Sequence, residues 1–490
     1  MNSSLEIRKT LFKNFFFNGL LEKIIHILKF IRDNSEKKMT TNIVVIGMGY
    51  VGIPMAALLA DVDDFYVTGI QRRSKRSGWK IECLNSGKNP FEGDEPGLDE
   101  LIERVVKHKK FHITDKYDVI TKADFVLVDV QTPVDDKKIP RYESLKDVSK
   151  LLAPHLKKGA TVIIESTVAP GTTNNIVAPL LEKHSGMKRG DDFYLVFSFE
   201  RVMPGKLIEY ITDLPRVIGG GCDRANKNAK FLYGKVVKKE LQVTDTLTAE
   251  LTKCIENTYR DVNIAFANEM ALVVEDFNRN IFEIVELINH RHDRMMHYPG
   301  SGVGGHCLTK DPHLLVYGHR TYTEHKYNSE ILLKSRKIND FMPEHMVELL
   351  EDALKVAGKH DNLKIALMGV AYKPDCDDTR NTPTARIVHF LKNRYHSHNI
   401  EYIAHDPWVR EKDYNITELT SNFYEAVKDA DVLIFATNHK QYYSIDLDEL
   451  KENVKDSPII IDGRNIFNKR TVESKGFIYR KVGEGSKIHS

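Results

Sequence analysis

From Thr41 onward the chain repeats one pattern: a short unbroken apolar run, a turn, and then a stretch whose apolar residues recur at helical spacing. Apolar runs without a polar face suit strands covered on both sides, and amphipathic returns suit the crossovers that parallel neighbours need. Residues 42–47 (NIVVIG), 65–70 (FYVTGI), 123–130 (ADFVLVDV), 160–167 (ATVIIEST) and 192–200 (DFYLVFSFE) therefore read as strands of one doubly wound sheet. The pattern breaks at 246–278, which contains neither Gly nor Pro and is far longer than an average helix, and a second helical stretch runs on to about Asn289. It resumes at 364–374 (KIALMGVAYKP), 400–407 (IEYIAHDP), 430–439 (ADVLIFATNH) and 458–465 (PIIIDGRN). The expected fold class is α/β, two Rossmann-like doubly wound domains joined by a long central helix and a helical middle domain. The expected divisions are an extension at 1–38, the first α/β domain at 39–239, the middle at 240–340 and the second α/β domain at 341–490.

A chain of 490 residues exceeds a single core, in keeping with two or three domains. Its 71 Lys+Arg against 69 Asp+Glu leave a formal net charge of +2, so no global field points to nucleic acid or an acidic membrane, and any anion binding is local. The five cysteines (83, 222, 254, 307 and 376) are widely spaced with no C-x-x-C pair. That spacing, with no secretory signal, argues against a disulfide framework and against a metal site, and for a reducing, cytoplasmic setting. Residues 11–31 are apolar and aromatic but interrupted by Lys13, Glu22, Lys23 and Lys29, so no transmembrane span is expected. A basic amphipathic helix on a membrane surface is one reading of this segment; an accessory extension, or an upstream start codon in place of Met39, is the favoured one.

Gly47-Met48-Gly49-Tyr50-Val51-Gly52 is a G-x-G-x-x-G turn set directly between a strand and a helix. In that setting the first glycine permits the tight turn, the second lets a pyrophosphate approach, and the third lets helix and strand pack, so Gly47, Gly49, Tyr50, Val51 and Gly52 are expected to cradle a dinucleotide. The second strand ends on Gln71 where a carboxylate for the adenosine ribose is expected, and Arg72 and Arg73 follow it. NAD is the expected cofactor, with NADP left open.

Residues 298–312 (YPGSGVGGHCLTKDP) form the least ordinary segment. Glycines there present Cys307 on a backbone able to approach a ligand, with Asp311 four residues on, a setting that suits a nucleophile better than core packing. Lys253 and Asn257, at i and i+4, project from one face of the long helix.

Taken together these motifs resemble the UDP-glucose/GDP-mannose dehydrogenase family over residues 39–467, through GMGYVG, EPGLDEL (95–101), QTPVD (131–135), ESTVAPGTT (165–173), FERVMPG (199–205), the helix 248–269, GGHCLTKD (304–311) and AYKPDCDDTRNTP (371–383). The resemblance implies oxidation of the C6 alcohol of a UDP-sugar to a carboxylate with two NAD, giving a uronic acid of the kind used in polysaccharide biosynthesis. Cys307 is implied to hold the half-oxidised sugar, as thiohemiacetal and then thioester. Lys253 and Asn257 are implied to support the oxyanion, while Asp311, Glu200 and Thr167 position or deprotonate water and alcohol. Thr132 and Arg380 are implied on the cofactor side, with Lys373 and Arg380 able to meet phosphates. Gly304, Lys373 and either Arg291 or Arg294 are implied on the substrate side. The last arginine would come from a neighbouring subunit, which implies a homodimer or dimer of dimers. Gly-Gly-His-Cys is similar to the branch that oxidises UDP-N-acetylhexosamines, so UDP-N-acetyl-D-mannosamine is favoured over UDP-N-acetylglucosamine and UDP-glucose. Two rival readings are a two-electron hydroxyacid dehydrogenase, which would form one NADH per substrate, and a dinucleotide-sensing module, which leaves Lys253, Asn257, Cys307 and Asp311 unexplained.

Overall fold

The computed structural model describes residues 40–75, 77–91, 93–324, 327–410 and 414–485, so the expectations for 1–38 lie outside the described residues. The first sheet contains β1 (Thr41–Ile46), β2 (Phe65–Ile70), β3 (Phe111–Thr114), β4 (Phe125–Val128), β5 (Thr161–Ile164), β6 (Tyr194–Phe197), β7 (Arg216–Gly220) and β8 (Leu241–Thr244). Their order is β3-β2-β1-β4-β5-β6-β7-β8, parallel throughout except where β6 meets β7. All four residues of both β4 and β5 are buried, as strands covered on both faces must be. The strand order reverses between β1 and β4, and the crevice at their carboxyl ends is where such sheets bind ligands. β8 pairs with β7 and lies beyond residue 239, so the first sheet extends past the boundary expected there.

Helix α1 (Gly52–Ala60) follows the glycine turn and is buried over nearly its whole length. The expected central helix is α2 (Thr246–Asp276), capped by Asp245, whose carboxylate accepts the Thr248 backbone N–H at 3.0 Å. The second expected stretch is α3 (Ile281–Asn289), capped by Asn280. Helices α4 (Asp311–Tyr322) and α5 (Glu330–Ala357) pack against α2, and Asp261 of α2 forms a buried ion pair with Arg336 of α5. The boundary expected at 340/341 falls inside α5, which continues through Pro343.

The second sheet contains β9 (Leu363–Met368), β10 (Ile400–His405), β11 (Glu418–Thr420), β12 (Val432–Phe435), β13 (Ile459–Asp462) and β14 (Ile478–Lys481), all parallel, in the order β11-β10-β9-β12-β13-β14. β9 is its switch strand, and the loop 371–383 leaves its carboxyl end before α6 (Pro383–Arg394). This is the expected pair of doubly wound sheets, each with a loop at the carboxyl end of its switch strand.

Candidate active site

The three glycines of the 47–52 turn act in three ways. A Cβ on Gly47, at φ +106°, would lie 2.2 Å from the Asp129 carbonyl oxygen, and one on Gly52 would lie 2.0 Å from the Gly47 carbonyl oxygen. At Gly49 no atom lies within 4 Å of that position, so the turn is closed and packed but open on one side. Helix α1 starts without a side-chain cap, which leaves its positive end to an anion. Gln71 Oε1 accepts the Met48 N–H at 3.1 Å while its Nε2 donates to Ser77 Oγ at 3.0 Å, so the amide sits beside the turn at the end of β2. Arg73 is engaged by Glu82 and Asp115 at 2.9 and 3.0 Å. The Thr132 hydroxyl donates to the Thr167 carbonyl at 2.6 Å, joining the loops after β4 and β5. An open glycine, an uncapped helix end and an amide at the end of β2 fit a dinucleotide. The Tyr50 side chain turns elsewhere: its ring stacks on Phe91 at 4.3 Å and its hydroxyl donates to the Asp377 carboxylate.

The cysteine site grows from one turn of chain. Backbone N–H groups of Lys310 and Asp311 donate to the Cys307 carbonyl at 3.1 and 2.9 Å, so α4 begins with Asp311 folded back beneath the cysteine. The Asp311 carboxylate is fully buried and accepts from Lys310 Nζ at 2.6 Å and from Asn257 Nδ2 at 2.5 Å. One turn earlier on α2, Lys253 Nζ donates to the Glu200 carbonyl at 2.6 Å and lies 5.3 Å from the Phe199 ring centre. Residues from the β6 end, α2 and the glycine loop are thereby brought together. Cys307 still reaches solvent, although protein surrounds it on most sides. Burial pushes its thiol up, Asp311 adds to this, and Lys253 and Lys310 oppose it. Burial disfavours the Lys253 ammonium, yet Glu200, Cys307 and Asp311 outweigh that and hold its pKa above the ordinary lysine value. Burial likewise raises Glu200, against Lys253 and the Val202 N–H. His306, beside the cysteine, is pushed down to about 4 by burial and by Lys310 and Arg380, so at neutral pH it is uncharged.

Several polar groups here were not singled out from the sequence. Lys310 is one. Behind Glu200, buried Arg216 pairs with Glu165, and the Tyr233 hydroxyl donates to Glu165 at 2.7 Å. Burial and Glu165 hold the Asp129 carboxyl well above the usual range. Arg464, just after β13, donates from Nε to the Ala436 carbonyl at 2.9 Å and forms no ion pair among the described residues. Burial pulls its guanidinium down to about 10 against the opposing pull of Tyr443 and Asp462, the mark of an enclosed cation that no carboxylate meets in an ion pair among the described residues. The signal available beforehand was its place directly after a buried strand, in DGRN.

The second domain closes over the cysteine loop. Gly305 N–H donates to the Arg380 carbonyl at 2.9 Å, Asn381 Nδ2 donates to the Gly305 carbonyl at 3.0 Å, and a Cβ on Gly304 would lie 2.6 Å from Tyr372 Cβ. Lys373 Nζ reaches back to the Pro204 carbonyl at 2.6 Å, and Arg380 grips Asp378 with its centre 5.7 Å from the Tyr50 ring. Arg291 and Arg294 are exposed, both bound to Asp293, and neither joins the Lys253–Asp311 group by a hydrogen bond or ion pair.

Comparison with known proteins places these parts in one frame. The UDP-glucose/GDP-mannose dehydrogenase family matches in three pieces: its NAD binding domain over residues 41–237, its central domain over 247–341 and its UDP binding domain over 366–469. A UDP-N-acetyl-D-mannosamine dehydrogenase of Pyrococcus horikoshii is 36% identical over 90% of this chain and 99% of its own. One of Methanocaldococcus jannaschii is 33% identical over 90% and 96%. The crystal structure of an NDP-N-acetyl-D-galactosaminuronic acid dehydrogenase from Methanosarcina mazei superposes with a TM-score of 0.79 at 38% identity, covering 92% of this chain and 97% of that one. The Pyrococcus horikoshii UDP-D-ManNAc dehydrogenase structure gives 0.81 at 35% identity, covering 91% and 100%. The glycine turn falls within the matched NAD binding domain, the cysteine loop within the central domain and the 371–383 loop within the UDP binding domain, and this chain is an NAD-dependent enzyme belonging to the UDP-glucose/GDP-mannose dehydrogenase family.

Proposed function

We propose that the chain oxidises the C6 alcohol of UDP-N-acetyl-D-mannosamine to the carboxylate, a four-electron change that leaves the hexosamine as its uronate. The observation that carries this reading is the cluster around Cys307, in which Lys253, Asn257, Lys310 and Asp311 converge from two helices on a thiol that solvent still reaches. The residues of the 47–52 turn would hold NAD, which would supply the hydride acceptor for alcohol to aldehyde and, after NADH is exchanged for a second NAD, for thiohemiacetal to thioester. Gln71, and an Arg73 already engaged by Glu82 and Asp115, support NAD over NADP.

The chain's own groups account for the rest. Lys253, charged at neutral pH, holds the C6 oxygen as negative charge develops, and the Asn257 amide assists. Glu200, raised by burial, is suited to take the proton that the alcohol loses. Cys307 adds as thiolate to the aldehyde carbon, which keeps the half-oxidised sugar from escaping between the two oxidations. Water then attacks the thioester carbon, the Cys307 sulfur leaves, and Asp311, oriented by Asn257 and Lys310, is placed to position that water. Thr167 contributes from the loop after β5. Lys373 and Arg464 supply charge for the diphosphate, and Arg464 is enclosed with no ion pair among the described residues.

The exposed apolar side chains Ile255, Tyr259, Phe266, Val273 and Phe277 recur along one side of α2 and support a homodimer on that helix, with Arg291 or Arg294 reaching the partner's site. Among the described residues no helix is long and apolar enough to cross a membrane. The name of the Methanosarcina mazei relative supports a second reading, a galacto-configured hexosamine. A panel of UDP-N-acetylmannosamine, -galactosamine and -glucosamine with UDP-glucose decides between them: the manno sugar alone, giving two NADH per sugar, is expected, and one NADH per sugar contradicts the mechanism.

A further inference from the structure

A side-chain hydrogen bond between residues 327 positions apart, from the Tyr50 hydroxyl to the Asp377 carboxylate, joins the cofactor turn to the second domain. Tyr50 lies between the open Gly49 and the packed Gly52, so a force on its side chain acts on the backbone that faces the dinucleotide. Its ring is fixed on one side by Phe91, stacked 4.3 Å away and 3° from parallel, with the Arg380 guanidinium centre 5.7 Å from the ring centroid. The phenol is held firmly protonated by burial and by Asp377, and so serves as donor. Asp377 belongs to the same 371–383 loop whose Arg380 carbonyl and Asn381 amide hold Gly305 of the cysteine loop and whose Lys373 grips Pro204. Glycine turn, Tyr50, 371–383 loop and cysteine loop therefore form one hydrogen-bonded chain.

We propose that Tyr50 and Asp377 are positioning residues that form a latch between the domains, making the dinucleotide and the uridine nucleotide bind cooperatively. The inference rests on the reading that the second domain holds the UDP group. A nucleotide that seats the 371–383 loop sets Asp377, Asp377 sets Tyr50, and the turn is fixed in the shape that receives the cofactor. By reciprocity, the cofactor tightens the nucleotide by the same factor.

The test is a double-mutant cycle read by binding: NADH affinity from its fluorescence for wild type, Tyr50→Phe, Asp377→Ala and the double variant, each with and without saturating UDP. Tyr50→Phe keeps the stack on Phe91 and removes the donor, and Asp377→Ala removes the acceptor from the other domain, so damage confined to one domain does not produce matching results. UDP is expected to tighten NADH about tenfold in the wild type. Each single variant is expected to lose most of that gain, and the double variant to lose no more than either. Absence of a UDP effect in the wild type, a full effect in either single variant, or losses that add in the double would overturn the latch. Failure of the catalytic reading shows separately, as no NADH formation from any UDP-sugar.

Discussion

Replacing Arg464 with methionine separates stability from binding. The guanidinium sits at about 10 against an ordinary 12.5, with burial the main cause. At roughly 1.4 kcal/mol per pH unit this amounts to about 3 kcal/mol opposing the folded state, and the part of the side chain that still meets solvent brings it nearer ~2 kcal/mol. A cation whose pKa falls on folding opposes folding at every pH where it is charged, so the penalty persists across the neutral range and is relieved only as pH rises through the folded value. Against this, the variant loses the Nε bond to the Ala436 carbonyl, where Ser301 Oγ remains at 2.7 Å, and the long Nη2 contact to the Gly302 carbonyl at 3.5 Å. That loss is about 1 kcal/mol, and methionine refills most of the volume. The unliganded variant should therefore be about 1 kcal/mol more stable, raising its melting midpoint by roughly 2–4 °C. UDP reverses the ranking: at about one hundred times Kd it adds ~2.7 kcal/mol to the wild type, and most of that gain should vanish in the variant. Thermal unfolding followed by intrinsic fluorescence, with and without UDP, measures both. A variant that melts below wild type without ligand and keeps the full UDP shift refutes the reasoning.

Other consequences are open to direct measurement. Because burial and Asp311 raise the Cys307 thiol above its ordinary 9.0, its alkylation rate should climb tenfold per pH unit through that value, and Lys253→Met should move the rise higher still; a plateau on the acid side of it contradicts the electrostatics. Asn257→Ala removes one of two side-chain partners of Asp311 and should lower kcat about 10²-fold with little change in KM, measured by steady-state kinetics, whereas a KM effect alone points to binding. Phe266→Glu, half-exposed at 53% on α2, should shift the particle mass by light scattering from dimer to monomer with loss of turnover; an unchanged mass removes α2 as the dimer face.

Much of the fold is legible from the chain because strands covered on both faces must be continuous apolar runs, as in β4 and β5. The same logic hides β8, an edge strand with exposed Gln242 and Val243 and no such run, and so the first sheet reaches past residue 239. Proline inside α5 obscures the continuity of that helix across 340. Local spacing also brings out candidate residues that share one element, such as Lys253 and Asn257 on α2 or Cys307 and Asp311 at the start of α4. Residues whose meaning depends on a partner far along the chain escape it: Arg216 and Glu165 are 51 positions apart, and Tyr50 looks like a turn residue until the fold brings Asp377 to it. Arg464 escaped for another reason, since what distinguishes it is its enclosure with no ion pair among the described residues, which only the fold shows.

The most direct measurement is the covalent state of Cys307 during turnover, read by rapid acid quench, proteolysis and mass spectrometry with UDP-N-acetylmannosamine and NAD. The peptide carrying Cys307 should gain the mass of the UDP-linked hexuronyl group, and the adduct should decay as the uronate appears. Formation of two NADH per sugar while that cysteine stays unmodified and open to alkylation would contradict a sulfur-held intermediate.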